Sequence, residues 1–169
     1  MNPDFNDDHT PLGYLLTFRA YGTWLHGDNR GSVDRCHKRY GSPMLPPSER
    51  RNQIERRLLK QRPVKFDARQ RDAIESAARD TCTIRKWDLW ALNVRSNHVH
   101  CVISANRKPE AVLSAIKANA TRTMRENRCW MSEQSPWAHR GSKKYLWTEK
   151  DLAKAIAYVI EEQGEPLKR

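Results

Sequence analysis

The chain of 169 residues carries 31 Lys+Arg against 20 Asp+Glu, a net charge of +11, with six tryptophans distributed among the basic residues. That length fits one domain able to bury roughly 70% of its unfolded surface, so neither a disulfide framework nor a structural zinc is needed to hold a core. No run of ~18 apolar residues is present, which excludes a helical membrane span. The four cysteines, Cys36, Cys82, Cys101 and Cys129, form no Cys-x-x-Cys pair, which points to reduced thiols in a cytosolic protein.

Residues 1–11 read as a disordered acidic lead-in without the apolar segment of a secretory signal, and residues 12–169 as a single domain. Tyr14–Tyr21 is apolar and aromatic enough for a strand, ended by Gly22. A long glycine-rich loop follows, from Gly22 to Gly31, and loops of this length inside a domain are often functional. Pro46-Pro47-Ser48 predicts the start of a short basic helix that stops before Pro63. Asp67 with Gln70 is a capping-box pattern opening a helix with an apolar face of Ile74, Ala77, Ala78, Thr81 and Cys82. Trp87–Val94 and Asn97–Ile103 predict two strands paired antiparallel across Arg95-Ser96. Pro109 starts a helix through about Arg125, with Val112, Ala115, Ile116 and Ala120 inward. Within Trp137–Trp147, Arg140-Gly141-Ser142-Lys143 reads as a hairpin turn. A last helix runs from about Glu149 to Gln163, stopped by Gly164. The order β, α, β, β, α, short β, α predicts an α+β fold with helices on an antiparallel sheet.

The charge attracts polyanions, nucleic acid foremost, and indole faces stack on exposed bases. His98-Val99-His100 is the most informative tripeptide. Alternation along a strand puts His98 and His100 on one face and Val99, Cys101 and Ile103 on the other, where helices cover them. Two imidazoles so spaced are close enough to share a metal ion. On the last helix, Leu152, Ala155, Ile156 and Val159 form a docking stripe with Tyr158 at its edge. Glu162 lies one turn beyond Tyr158 on the same face. From the residues alone, Tyr158 is either an ordinary amphipathic tyrosine or a nucleophile delivered to the metal.

Asn97-His98-Val99-His100 followed by Tyr158 on a late helix resembles the HUH-type single-tyrosine transposases of insertion sequences, in particular the REP-associated tyrosine transposase group. The resemblance runs from Tyr14 to Gly164. It rests also on Leu16–Ser32, Asn93–His100, Lys117–Arg122, Trp137–Ser142 with Tyr145-Leu146-Trp147, and Ala155–Val159 with Gln163-Gly164. It implies a ferredoxin-like or RRM-like antiparallel sheet and a C-terminal helix carrying the tyrosine. It further implies a metal-dependent nuclease and strand transferase acting on single-stranded or hairpin DNA. His98 and His100 would then hold Mg²⁺ or Mn²⁺, and Tyr158 would form a 5′-phosphotyrosine bond and release a 3′ hydroxyl. The group commonly places an amide ligand four residues after the tyrosine. Here that position is Glu162, favoured for its helical geometry, and the amide Gln163 follows it, so the third ligand stays open between the two.

Arg122, Arg125, Trp137, Arg140, Lys143 and Trp147 are the expected DNA contacts, and the nucleoid of a prokaryotic cytoplasm is the expected location. His26 and His37, with Asp28 and Asp34, flank the glycine-rich loop. They read either as a second acidic or metal site or, preferably, as part of a loop that shapes the DNA groove. Monomer and homodimer are both open. The other function classes are a non-catalytic RRM-like binding module, which would need stacking aromatics on its central strands, a domesticated transposase, and a relaxase or replication initiator. The last usually carries a third histidine and further domains.

Overall fold

The computed structural model describes residues 10–29, 46–161 and Gly164. The elements in chain order are β1 (Gly13–Ala20), α1 (Glu49–Arg57), α2 (Ala68–Arg85), β2 (Asp88–Val94), β3 (His98–Ser104), α3 (Pro109–Glu126), β4 (Trp137–Leu146) and α4 (Glu149–Glu161). The strands form one antiparallel sheet in the order β2-β3-β1-β4. With α2 and α3 as the two crossovers, this is the α+β fold expected from the element order, in the ferredoxin-like arrangement that the family resemblance implies.

The register sorts every strand residue to one of two faces. Leu16 pairs with Cys101 and Phe18 with Val99, and these side chains meet Ile74, Ala78, Ile116 and Met124 of α2 and α3 in the main core. On the opposite face Leu15 pairs with Val102, Thr17 with His100 and Arg19 with His98. There α4 lays Ala155 and Val159 on Ala91, Val102 and Leu146, with Leu152 and Ile156 at the margin. The sheet therefore separates a large core from a small one, and the small one shares its face with the histidines.

Local sequence explains the boundaries. Asp67 and Gln70 form the capping box at the start of α2, and Pro109 stands at the first turn of α3. The expected inward residues of α2 are all buried. On α3, Leu113 and Met124 join Val112, Ile116 and Ala120, while Ala115 is only partly covered. Thr148 caps α4 by accepting from the Asp151 amide at 3.1 Å. Gly164 has φ +73, the left-handed conformation of a helix stop.

The hairpin turn expected at Arg140–Lys143 is not formed. Residues Trp137–Leu146 are one continuous strand, the longest in the sheet, antiparallel to β1 throughout. Gly141 is there for close approach: a Cβ on it would lie 2.7 Å from the Thr17 carbonyl oxygen and 2.9 Å from Leu113 Cδ2. The register shifts between Phe18 and Ala20 of β1, opposite the part of β4 between Trp137 and Gly141.

Candidate active site

His98 and His100 project from β3 to the same face, their ring centroids 4.7 Å apart. Each is oriented through Nδ1. The carbonyl Oδ1 of Asn97 accepts from His98 Nδ1 at 2.7 Å, and Thr17 Oγ1 lies 2.7 Å from His100 Nδ1. An outer oxygen at Nδ1 is the usual means by which a ligating imidazole is oriented. His100 is 6% exposed. Burial, with His98 and Arg19 adding repulsion, pushes its pKa down to about 4, so the ring is neutral at physiological pH. Neutral imidazole is the ligating form, and the donor set fits a divalent cation.

Tyr158 comes to this pair from α4. Its ring stands edge-on to that of His100, with centroids 5.5 Å apart and planes at 81°. The side chain is 36% exposed, so one flank rests on the histidine and the other faces solvent. Asn93, which pairs with His100 across β2 and β3, donates Nδ2 to the carbonyl of Val159 at 3.1 Å and fastens the helix next to the tyrosine. Around these groups lies a cleft of about 420 Å³, closed by Arg19, Thr23, Trp24 and Ser142.

Among the described residues no third His, Cys, Asp or Glu joins the pair as a metal cluster. Glu162 and Gln163 lie outside the described residues, as do His37 and Asp34 of the expected second site. Cys101 is fully buried on the far face, and burial pushes its thiol far up, as suits a small core residue.

The expected DNA contacts divide by face. Arg140 lines the tyrosine side, next to Ser142. Trp137 does not face solvent: it is 5% exposed, packs on Phe18 and Phe66, and donates Nε1 to Thr121 Oγ1 at 2.9 Å. It is a core residue because the bulged end of β4 turns it toward α3. Arg122 and Arg125 sit on α3, across the sheet from Tyr158. Arg122 is paired with Glu126, and Arg125 donates to the carbonyls of Ser132 and Glu133. Lys143 is on that side too, held by Glu110 at 2.6 Å. Trp147 stacks on Tyr145 at the end of β4, 38% exposed.

Thr17, Arg19, Trp24 and Asn97 line the same cleft; Asn97 opens the Asn97-His98-Val99-His100 motif, whereas the other three entered the sequence reading only within longer stretches such as Leu16–Ser32. Asn97 precedes the histidines directly, and that adjacency was the available signal. Thr17 and Arg19 are legible only once β1 is known to lie beside β3. Within the Lys117–Arg122 stretch, Lys117 Nζ donates to the carbonyls of Ala138 and Arg140, and Asn119 ties α3 to Thr81 of α2.

The model of the IS200-like transposase family matches residues 53–162, a span that holds His98, His100 and Tyr158. The chain belongs to this family. The transposase is similar in fold to a solved REP-associated tyrosine transposase bound to a REP hairpin. That match has a TM-score of 0.52 and 11% identity over 94% of this chain and 68% of the other. A Deinococcus radiodurans R1 protein described as a transposase aligns over 95% of this chain and 97% of its own, at TM-score 0.48 and 16% identity. At 11% identity the likeness to the REP-associated protein is one of fold. Among curated proteins none matches. No helix of the described residues is long and apolar enough to cross a membrane.

Proposed function

We propose that this transposase cuts and rejoins single-stranded DNA through Tyr158, with His98 and His100 holding Mg²⁺ or Mn²⁺. The observation that carries the reading is the edge contact of Tyr158 with His100, which brings a phenol from α4 to the two imidazoles that share one face of β3. A divalent ion bound there supplies Lewis-acid polarisation of a phosphoryl oxygen. The remaining steps belong to the chain. The phenolic oxygen of Tyr158 attacks the phosphorus in line and loses its proton, and the bond from phosphorus to the 3′ oxygen breaks. That oxygen leaves as a 3′ hydroxyl while the 5′ phosphate stays esterified to the tyrosine. The ester conserves the bond, so a 3′ hydroxyl entering the cleft reverses the step and joins a strand without ATP.

In this reading Glu162 or Gln163 completes the ligand set. The partner is single-stranded or hairpin DNA, in keeping with the net charge of +11 and with the basic side chain of Arg140 on the tyrosine face. The test is incubation of the full chain and Mn²⁺ with end-labelled single-stranded DNA from the flanks of its own gene. A covalent adduct whose nucleotide maps to Tyr158 is the expected result. An adduct on another tyrosine overturns the assignment of the nucleophile, and full cutting in excess chelator overturns the metal.

A further inference from the structure

The tyrosine cleft opens beside a second, larger one of about 540 Å³ on the same face of the sheet. Thr17, Arg19, Trp24 and Ser142 line both. Where the two meet, the guanidinium of Arg19 lies over the ring of Trp24, 3.3 Å from its centre. Beyond this stack the walls change character. Ala20, Leu25 and Ala138 make them largely apolar, with Arg140 and His26 as the polar groups. The Nδ1 atom of His26 is buried and has no hydrogen-bond partner among the described residues, a condition that buried polar atoms rarely keep.

A cleft of this size lies within the range of roughly 300–1,000 Å³ usual for small-molecule sites. Its chemistry is that of a flat ring with apolar faces and a hydrogen-bonding rim. An indole and a guanidinium plane offer stacking partners, Arg140 offers a polar partner at the edge, and the imidazole of His26 is part of the wall. Its connection to the tyrosine cleft favours a ring carried on the same strand over a free small molecule. We infer that this second cleft receives one unstacked nucleobase from the strand whose phosphate faces Tyr158, making Trp24, His26 and Arg140 specificity-determining residues. The inference rests on the proposed DNA chemistry for its choice of strand. The four expected contacts on the far face and in the core, Arg122, Arg125, Lys143 and Trp137, have no part in it.

The test compares single-stranded octamers dT8, dA8, dC8 and dG8 with an octamer of abasic sugar-phosphate units, which has the same charge and no bases. Binding to the full-length Tyr158→Phe chain is read by fluorescence anisotropy. At least one base octamer is expected to bind about fivefold or more tighter than the abasic one, the scale of a single base stacked on an aromatic side chain. Trp24→Ala, and Ala138→Trp or Leu25→Trp to fill the cleft, are expected to bring that ratio toward one. Abasic binding and its salt dependence should meanwhile stay as they were, which a merely unfolded variant would not show. Equal binding of all five octamers overturns the inference, as does a base preference that survives in a folded, cleft-filled variant. An adduct on Tyr158 without base preference removes the base pocket and leaves the proposed function. Base preference without any adduct does the reverse.

Discussion

Tyr158 and His100 meet edge to face across the seam between α4 and β3, 5.5 Å between ring centroids. This contact is made by the ring, which phenylalanine keeps. Tyr158→Phe is therefore expected to keep the helix docked, with an unchanged melting temperature and unchanged affinity for Mn²⁺ and DNA, and to form no covalent adduct. A normal yield of joined product from this variant would assign the nucleophile elsewhere.

Thr17 fixes His100 through its hydroxyl at 2.7 Å. Thr17→Val keeps the shape and removes the oxygen, whereas Thr17→Ser restores it. Loss of such an outer partner typically weakens metal binding by about 10–100-fold. Calorimetric titration of Mn²⁺ into the metal-free chain should show that loss for Val and recovery for Ser. Equal affinities in all three would leave Thr17 a packing residue only.

Gly141 permits β4 to run straight under Leu113 and beside Thr17. Gly141→Val forces its new side chain against a backbone oxygen that cannot step aside. A loss of about 1–3 kcal/mol is expected, the usual cost of overpacking, read as a lower denaturation midpoint in urea. If the residue were the tip of a hairpin, the substitution would be nearly silent.

Lys117 is half-buried, and burial lowers its pKa to about 8 from the usual 10.5. The groove around it is lined by Tyr21, Lys60 and His139 and by no carboxylate. Between those two values the unfolded chain holds more protons than the folded one, so this group makes stability rise with pH from about 8 toward 10.5. Lys117→Met should abolish that rise. Parallel pH profiles of the two chains in urea denaturation would show that the ammonium is not held at a cost.

Arg140 lines the cleft beside the tyrosine, while Arg122 lies across the sheet paired with Glu126. A polar contact to a base edge contributes about 1–3 kcal/mol to affinity and sets base preference. Arg140→Ala should weaken single-stranded DNA binding and narrow its base preference, and Arg122→Ala should leave both alone. The opposite pattern would move the DNA track to the helical face.

Much of the sheet was legible because alternation is a local property. His98, His100, Val99 and Cys101 go to the faces that their spacing dictates, and the capping residues of α2 and α3 mark helix starts. Tyr158 was legible as the edge of an apolar stripe. Two things were not local. Arg140-Gly141-Ser142-Lys143 has turn composition, but its glycine answers to Thr17 and Leu113, far away in the chain. Trp137 sits among basic residues in sequence yet among Phe18 and Phe66 in space. Composition near a residue says little about which face of a sheet it will meet: Trp137 lies in the core, and Arg122, Arg125 and Lys143 lie on the face opposite Tyr158.

The two apolar clusters on opposite faces of the sheet differ greatly in extent, and α4 rests on the smaller. Cooperative units held by few buried side chains open at lower free energy than the main core. The helix that carries Tyr158 can thus lift from Ala91, Val102 and Leu146 while the α2–α3 side stays shut. Warming or mild denaturant would then disarm the molecule before it unravels, with His98 and His100 still side by side on an intact strand and nothing aimed at them.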